Sequence, residues 1–179
     1  AIYNSGNLIA SFKNIDILGD SATHGYISPI RDLKSSEVAI QKTYWENINI
    51  KACGASILAA DYEVLNGFNW IYPRENATQP TIFDAGGNNT ISFFNLQVIN
   101  DNLNNKFANI FRNGANSVIT ISNFYSEGTI KYQPTNNVNV GYVKINDWTC
   151  YDPQFNMTGG QRFLDVDATG SFTTEFNNL

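Results

Sequence analysis

Apolar and polar positions in this chain recur as one short phrase, not as the stripe of an amphipathic helix. Phe12-Lys13-Asn14-Ile15-Asp16-Ile17 and Trp45-Glu46-Asn47-Ile48-Asn49-Ile50 both read aromatic, any residue, Asn, Ile, polar, Ile. The phrase returns at Leu65-Asn66-Gly67-Phe68, Phe93-Phe94-Asn95-Leu96, Ile121-Ser122-Asn123-Phe124 and Ile145-Asn146-Asp147-Trp148. A weaker seventh copy is Thr169-Gly170-Ser171-Phe172. Fixed-period self-similarity of this kind is the signature of a repeat architecture.

The offsets carry the physics. Along one straight strand, residues on the same face differ by an even number. Here the apolar positions lie two before and one after the central residue, an odd separation, so the chain must bend between them. The central column is Asn14, Asn47, Gly67, Asn95, Asn123, Asp147 and Ser171. Asn, Gly and Asp accept left-handed backbone angles at low cost. Strand, corner, strand, at spacings of 33, 20, 28, 28, 24 and 24 residues, predicts a solenoid coil. A third strand per coil is expected upstream of each corner, with Ile2, Ile27, Ile57, Ile82, Ile110, Ile130 and Phe163 facing inward. Chain length varies mainly between that strand and the next coil, at 18–26 and 99–108, and in a second place at 29–36, as loops of a solenoid do.

The expected fold is therefore all-β: a right-handed parallel β-helix of about seven rungs, three strands per rung, with an Asn-rich corner ladder, over a single domain 1–179. This pattern resembles right-handed parallel β-helix proteins of the pectate-lyase-like class, which includes pectinolytic enzymes, phage tailspikes, passenger adhesins and repeat-bearing surface proteins. The resemblance covers essentially the whole chain, with Asn14, Asn47, Asn95 and Asn123 as its stacked ladder. It specifies architecture better than function, since one fold hosts many activities. A β-sandwich of similar short strands is the competing architecture, but it does not predict one column across seven copies.

Composition supports the all-β reading. Charged residues make up 15% of the 179, against about a quarter in an average domain. Asparagine fills the gap with 26 residues. A net charge of −5 without a basic run argues against nucleic acid and anionic membranes as partners. No apolar stretch approaches the roughly 20 residues of a membrane-spanning helix. The two cysteines, Cys53 and Cys150, would stand four rungs apart, about 19 Å at ~4.8 Å per strand, too far for a disulfide. Asn76, Asn88 and Asn156 open sequons, a number this composition supplies by chance.

Chemistry is sparse. His24 is the single histidine, which excludes a histidine metal cage and leaves a Ser-His-Asp triad without a nucleophile elbow. Neither a metal nor a cofactor is expected. Asp84 has Arg112 at the matching position one rung on, so a cross-rung ion pair is one reading. The other pairs Asp84 with Asp61 as the two carboxyls of a glycoside hydrolase. Asp165 and Asp167 are too few to argue for a cation. The residues after the third-strand isoleucines include Tyr3, Leu58, Phe83, Phe111 and Leu164. Such an apolar outer stripe marks a glycan-stacking face, a partner surface or a patch under the protein's own loops.

These features point to a structural or adhesive module of a surface fibre, filament or adhesin, extracellular or on a virion. The expected partners are carbohydrate or other copies of the chain. The whole-coil ends read as coils cut from something longer, or as a unit that stacks end to end. A segment of a polysaccharide-degrading enzyme, such as a tailspike, is the alternative.

Overall fold

The residues that repeat at the corners take left-handed backbone angles. In the computed structural model φ is 54° at Asn14, 53° at Asn47, 71° at Gly67, 55° at Asn95, 56° at Asn123 and 54° at Asp147. The structure describes residues 1–6, 8–19, 28–34, 36, 39–54, 56–72, 81–100, 108–112, 116–128, 130–131, 141–151 and 172–178. Within them the chain forms β1 (Ile2–Ser5), β2 (Ile9–Leu18), β3 (Ile30–Leu33), β4 (Lys42–Lys51), β5 (Ser56–Ala59) and β6 (Tyr62–Tyr72). There follow β7 (Thr81–Ala85), β8 (Thr90–Asn100), β9 (Ala108–Arg112), β10 (Val118–Gly128), β11 (Ile130–Lys131), β12 (Gly141–Tyr151) and β13 (Phe172–Asn177). No helix occurs among the described residues.

From β1 to β12, successive described strands alternate between two sheets. The shorter ones build a six-stranded sheet in the order β1-β3-β5-β7-β9-β11, and the longer ones a seven-stranded sheet in the order β2-β4-β6-β8-β10-β12-β13. Every pairing is parallel. An all-β chain that passes repeatedly between two parallel sheets is consistent with a solenoid-like fold.

Each long strand changes phase at its corner. In β4, Thr43 and Trp45 are buried before Asn47, then Ile48 and Ile50 after it. β8 repeats this with Ile91 and Phe93, then Leu96 and Val98. The ladder itself skips the corner, passing from Lys13↔Glu46 to Ile15↔Ile48. Left-handed geometry turns the backbone, so both halves present apolar side chains to one interior. The residues flanking the corners pack there as columns: Trp45, Leu65, Phe93, Ile121 and Ile145 before, Ile48, Phe68, Leu96, Phe124 and Trp148 after, all buried. Burying each large side chain is worth about 1.5–3 kcal/mol. Aromatic contacts run along the columns, with Phe12 stacked on Trp45 at 4.5 Å and Phe124 on Trp148 at 4.8 Å. Phe83 meets Phe93 at 4.6 Å and ties the two sheets together.

Corner amides bond across strands. Asn47 Nδ2 donates to Asn14 Oδ1 at 3.0 Å, and Asn123 Nδ2 to Asn95 Oδ1 at 3.2 Å. Gly67 breaks this line: a Cβ there would lie 2.9 Å from Asn47 Oδ1. Asn95 Nδ2 bonds instead to Asn66 Oδ1, one residue earlier.

Two expectations are corrected. Ser171 lies outside the described residues, and Asn178 occupies the seventh corner instead, with φ 55° and its Nδ2 donating to Asp147 Oδ1. Phe176, paired with Ile145, fills the preceding apolar position. The repeat is 31 residues here, Asp147 to Asn178. In the six-stranded sheet the register differs from the isoleucine column. Ile2 pairs with Ile30, Ser56 with Phe83 and Phe83 with Phe111. Ile57 is consequently half-exposed, while Ile82 is buried. Ile27 and Phe163 lie outside the described residues.

Replacing Asn123 by Val places a β-branched residue at φ 56° and removes the bond to Asn95. The strain is about 1–2 kcal/mol and the lost hydrogen bond about 1 kcal/mol. Urea unfolding should therefore show Asn123→Val about 2–3 kcal/mol less stable, with Asn123→Gly recovering most of the backbone part.

Candidate functional site

The outer stripe expected on the six-stranded sheet does not exist as such. Tyr3 is 66% exposed, but Leu58 and Phe83 are completely buried. A slip of one residue in strand register turns every side chain to the other face, and the pairings of β3, β5 and β7 carry that slip. The outward column is Tyr3, Arg31, Ile57 and Asp84. Leu164 lies outside the described residues, as do Asn76 and Asn156. Phe111 pairs with Phe83 in the strand register. Asn88 is exposed with φ 54°, and its Oδ1 accepts from Asn116 Nδ2.

The two candidate carboxylates sit on different segments. Asp84 lies within β7 and pairs by register with Arg112 of β9, the match expected from the repeat. Asp61 lies in the turn before β6, and its carbonyl accepts from Thr90 N, which places it beside Asn89. Its carboxylate forms an ion pair with Lys34 and accepts from Gln41 N at 2.7 Å. Partial burial pushes Asp61 up, but the Lys34 and Gln41 hydrogen bonds and the Lys34 charge outweigh it and hold the carboxyl below its usual range. A carboxylate so engaged is ill suited to donate a proton in catalysis.

A second acidic pair, Asp32 and Glu63, lies inside the protein. Glu63 stands in the inward column Ala10, Thr43, Glu63, Ile91, Ile119 and Val143 and is 1% exposed. Trp45 Nε1 donates to its Oε2 at 3.0 Å and Ala60 N to its Oε1 at 3.1 Å. Asp32, on β3, is fully buried; its Oδ1 accepts from Asn4 Nδ2 at 2.9 Å and Gln41 Nε2 at 2.8 Å. Burial drives the Glu63 carboxyl well above the usual carboxylate range, and the neighbouring Asp32 charge adds to the rise. Burial also raises Asp32, against the hydrogen bonds that favour its ionised form. Glu63 was legible in sequence, because it precedes inward Leu65 by an even step. Asp32 was not, because it belongs to the strand whose register had slipped. At such burial neither group meets a substrate.

The exposed apolar face lies on the seven-stranded sheet, before the corners. Ile9, Tyr44, Tyr62, Phe94 and Val118 are its large exposed members, each 40–65% accessible. Lys42 Nζ stands 5.6 Å from the Tyr62 ring centroid, close enough for a cation–π contact. Hydroxyl side chains lie among the aromatics, with Thr120 Oγ1 3.2 Å from Ser92 Oγ. At the β13 end, Glu175 accepts from Lys144 Nζ at 2.8 Å and Tyr142 OH at 2.7 Å. Lys144, Tyr142 and Asn177 together hold its carboxyl down to about 2.

Among the described residues no three His, Cys, Asp or Glu side chains converge as a metal site. Cys53 is buried and Cys150 half-buried. Among the described residues no helix is long and apolar enough to cross a membrane. The molecule is thus an all-β protein of two parallel sheets with an outward aromatic face. Compared with family models, curated proteins and solved structures, the chain matches none.

The buried acids set a pH dependence. A carboxyl whose folded pKa is raised contributes stability that is complete below its unfolded pKa and fades as pH rises through the folded value. The window therefore opens near 4.5, the ordinary Glu value, and extends upward. Thermal melts should show Tm falling as pH climbs through that window, and Glu63→Gln should flatten the slope. An equal slope in the variant would remove Glu63 as its origin.

Proposed function

We propose that the chain is a right-handed parallel β-helix module of about seven rungs, three strands per rung. In this reading it serves as a structural and adhesive element of a surface fibre, filament or adhesin. The left-handed corner column supports the three-strand rung, because it divides each long strand into two straight segments and the six-stranded sheet supplies the third. The observation that carries the function is the open face holding Tyr44, Tyr62 and Phe94 on β4, β6 and β8. Exposed rings stack on the apolar faces of sugars, while neighbouring hydroxyl, amide and Lys42 groups suit their oxygens. Carbohydrate and further copies of the module are the partners proposed, and its setting is extracellular or on a virion. The engagement of Asp61 by Lys34 and Gln41 favours holding a glycan over cleaving it.

The test is retention on immobilised polysaccharides, read together with release of reducing ends. Tyr44→Ala combined with Tyr62→Ala removes two aromatic contacts of about 1 kcal/mol each, so affinity should fall roughly thirtyfold. Circular dichroism should not change, because both rings are exposed. Release of reducing ends that disappears in Asp84→Asn would overturn the adhesive reading in favour of a hydrolase.

A further inference from the structure

Past the corners the long strands turn two further columns of side chains outward, and these form a second face of the seven-stranded sheet. The outer column runs Leu18, Lys51, Ile71, Ile99, Glu127 and Tyr151 over β2, β4, β6, β8, β10 and β12. Leu18 and Tyr151 are exposed, and Ile71 and Ile99 half-exposed. That column is symmetric about a line between β6 and β8. Two isoleucines stand at its centre, a cation and an anion flank them, and a large apolar side chain follows on each side. Lys51 and Glu127 are three strands apart, about 14 Å at ~4.8 Å per strand, so neither neutralises the other within one copy. The inner column has polar groups about the same line, with Asn49 and Asn69 on one side and Gln97 and Tyr125 on the other.

We propose that this face binds the same face of a second copy, about a two-fold axis that lies between β6 and β8 and runs parallel to the strands. The inference rests on the self-association in the reading above and gives it a surface. Such an axis keeps the strand direction and reverses the order of the strands. It sets Lys51 against the partner's Glu127, Ile71 against the partner's Ile99 and Leu18 against the partner's Tyr151, each meeting occurring twice. In the inner column Asn49 comes opposite the partner's Tyr125. The Asn49 amide gives one hydrogen to Asp16 and has a second to give. Tyr125 donates its hydroxyl hydrogen to Glu127 at 3.3 Å and keeps lone pairs to accept it. An axis laid on β6 or on β8 instead would set charges against apolar side chains. The contact is isologous, so it closes as a dimer. Two columns over six strands make a small interface, of the size that weak, reversible complexes use. The aromatic face lies before the corners, so the dimer leaves it open to a glycan.

Charge reversal tests the surface. Sedimentation velocity over a concentration series should show wild type in a monomer–dimer equilibrium. Lys51→Glu alone and Glu127→Lys alone should each dimerise about tenfold more weakly, because two like-charge meetings replace two ion pairs. An equimolar mixture of these two variants should recover the dimer, since every meeting across the interface is again between opposite charges. That recovery also shows that both variants fold. The double variant, Lys51→Glu with Glu127→Lys, should dimerise as wild type does. Single variants that dimerise like wild type, or a mixture that stays monomeric, would place self-association on another surface and overturn the proposal. A wild type that is monomeric at every concentration would overturn the surface and self-association together. Glycan retention by single copies is measured independently, so failure here leaves the adhesive reading standing.

Discussion

Asn47 turns its backbone through φ 53° between two straight stretches of β4, and the interior follows from that turn. Strand alternation alone would send Ile48 outward once Trp45 points in, because three residues separate them. The left-handed residue resets the alternation, so Thr43, Trp45, Ile48 and Ile50 all reach one core. Asparagine meets the requirement twice over. It accepts the backbone angle, and its amide then spans the strand spacing to bond the next corner. Glycine meets only the first half, which is why Asn66 carries the bond beside Gly67. Aspartate meets the backbone half and accepts but does not donate, as Asp147 does from Asn178.

Where no left-handed column defines the register, polar side chains do so. Asn4 and Asp32 are directly paired between β1 and β3 and bonded to each other within the interior. Gln41 reaches the same Asp32 oxygen from the turn that leads into β4. A slip of one residue in β3 would turn Asp32 outward and leave both amides buried without an acceptor, at about 1–3 kcal/mol each. The buried carboxyls thus oppose stability as charges but favour one alignment of the short strands. Glu63 adds a second tie, joining the Trp45 indole to the Ala60 amide across neighbouring strands.

The long strands were legible in sequence because their signal is redundant. An Asn, Gly or Asp at the corner, an apolar residue two before and another one after identify six of the columns, and each residue type follows from a steric or burial requirement. The short strands lacked that redundancy. Isoleucine at Ile57 and Ile82 is as compatible with an edge or a bend as with the core, and alternation over four or five residues fits either face. Leu58 and Phe83 were accordingly assigned outward when they lie among the most buried side chains. The seventh corner failed for a related reason. Thr169-Gly170-Ser171 copies the phrase at the same 24-residue step as Asn123 to Asp147, whereas Phe176 and Asn177 hold the register with β12. The aromatic face went unread because Tyr44, Tyr62 and Phe94 occupy different outward columns, which only the strand pairing brings onto one surface.

The same constraint explains why chemistry on this molecule lies outside its core columns. Inward positions are fixed by packing against the strands above and below, and the two acids placed there are removed from any ligand. Outward positions are bound only by the strand spacing of about 4.8 Å, which leaves aromatic, hydroxyl and amide groups free to share one flat surface. Weak contacts on such a surface gain by multiplication. Under the proposed adhesive reading, a long glycan that met several of these side chains at once would be held more tightly than by any one contact. The polar amide ladder and the aromatic face are then two consequences of one parallel sheet. Its left-handed corners set the amide ladder, and its outer columns leave the aromatic rings exposed.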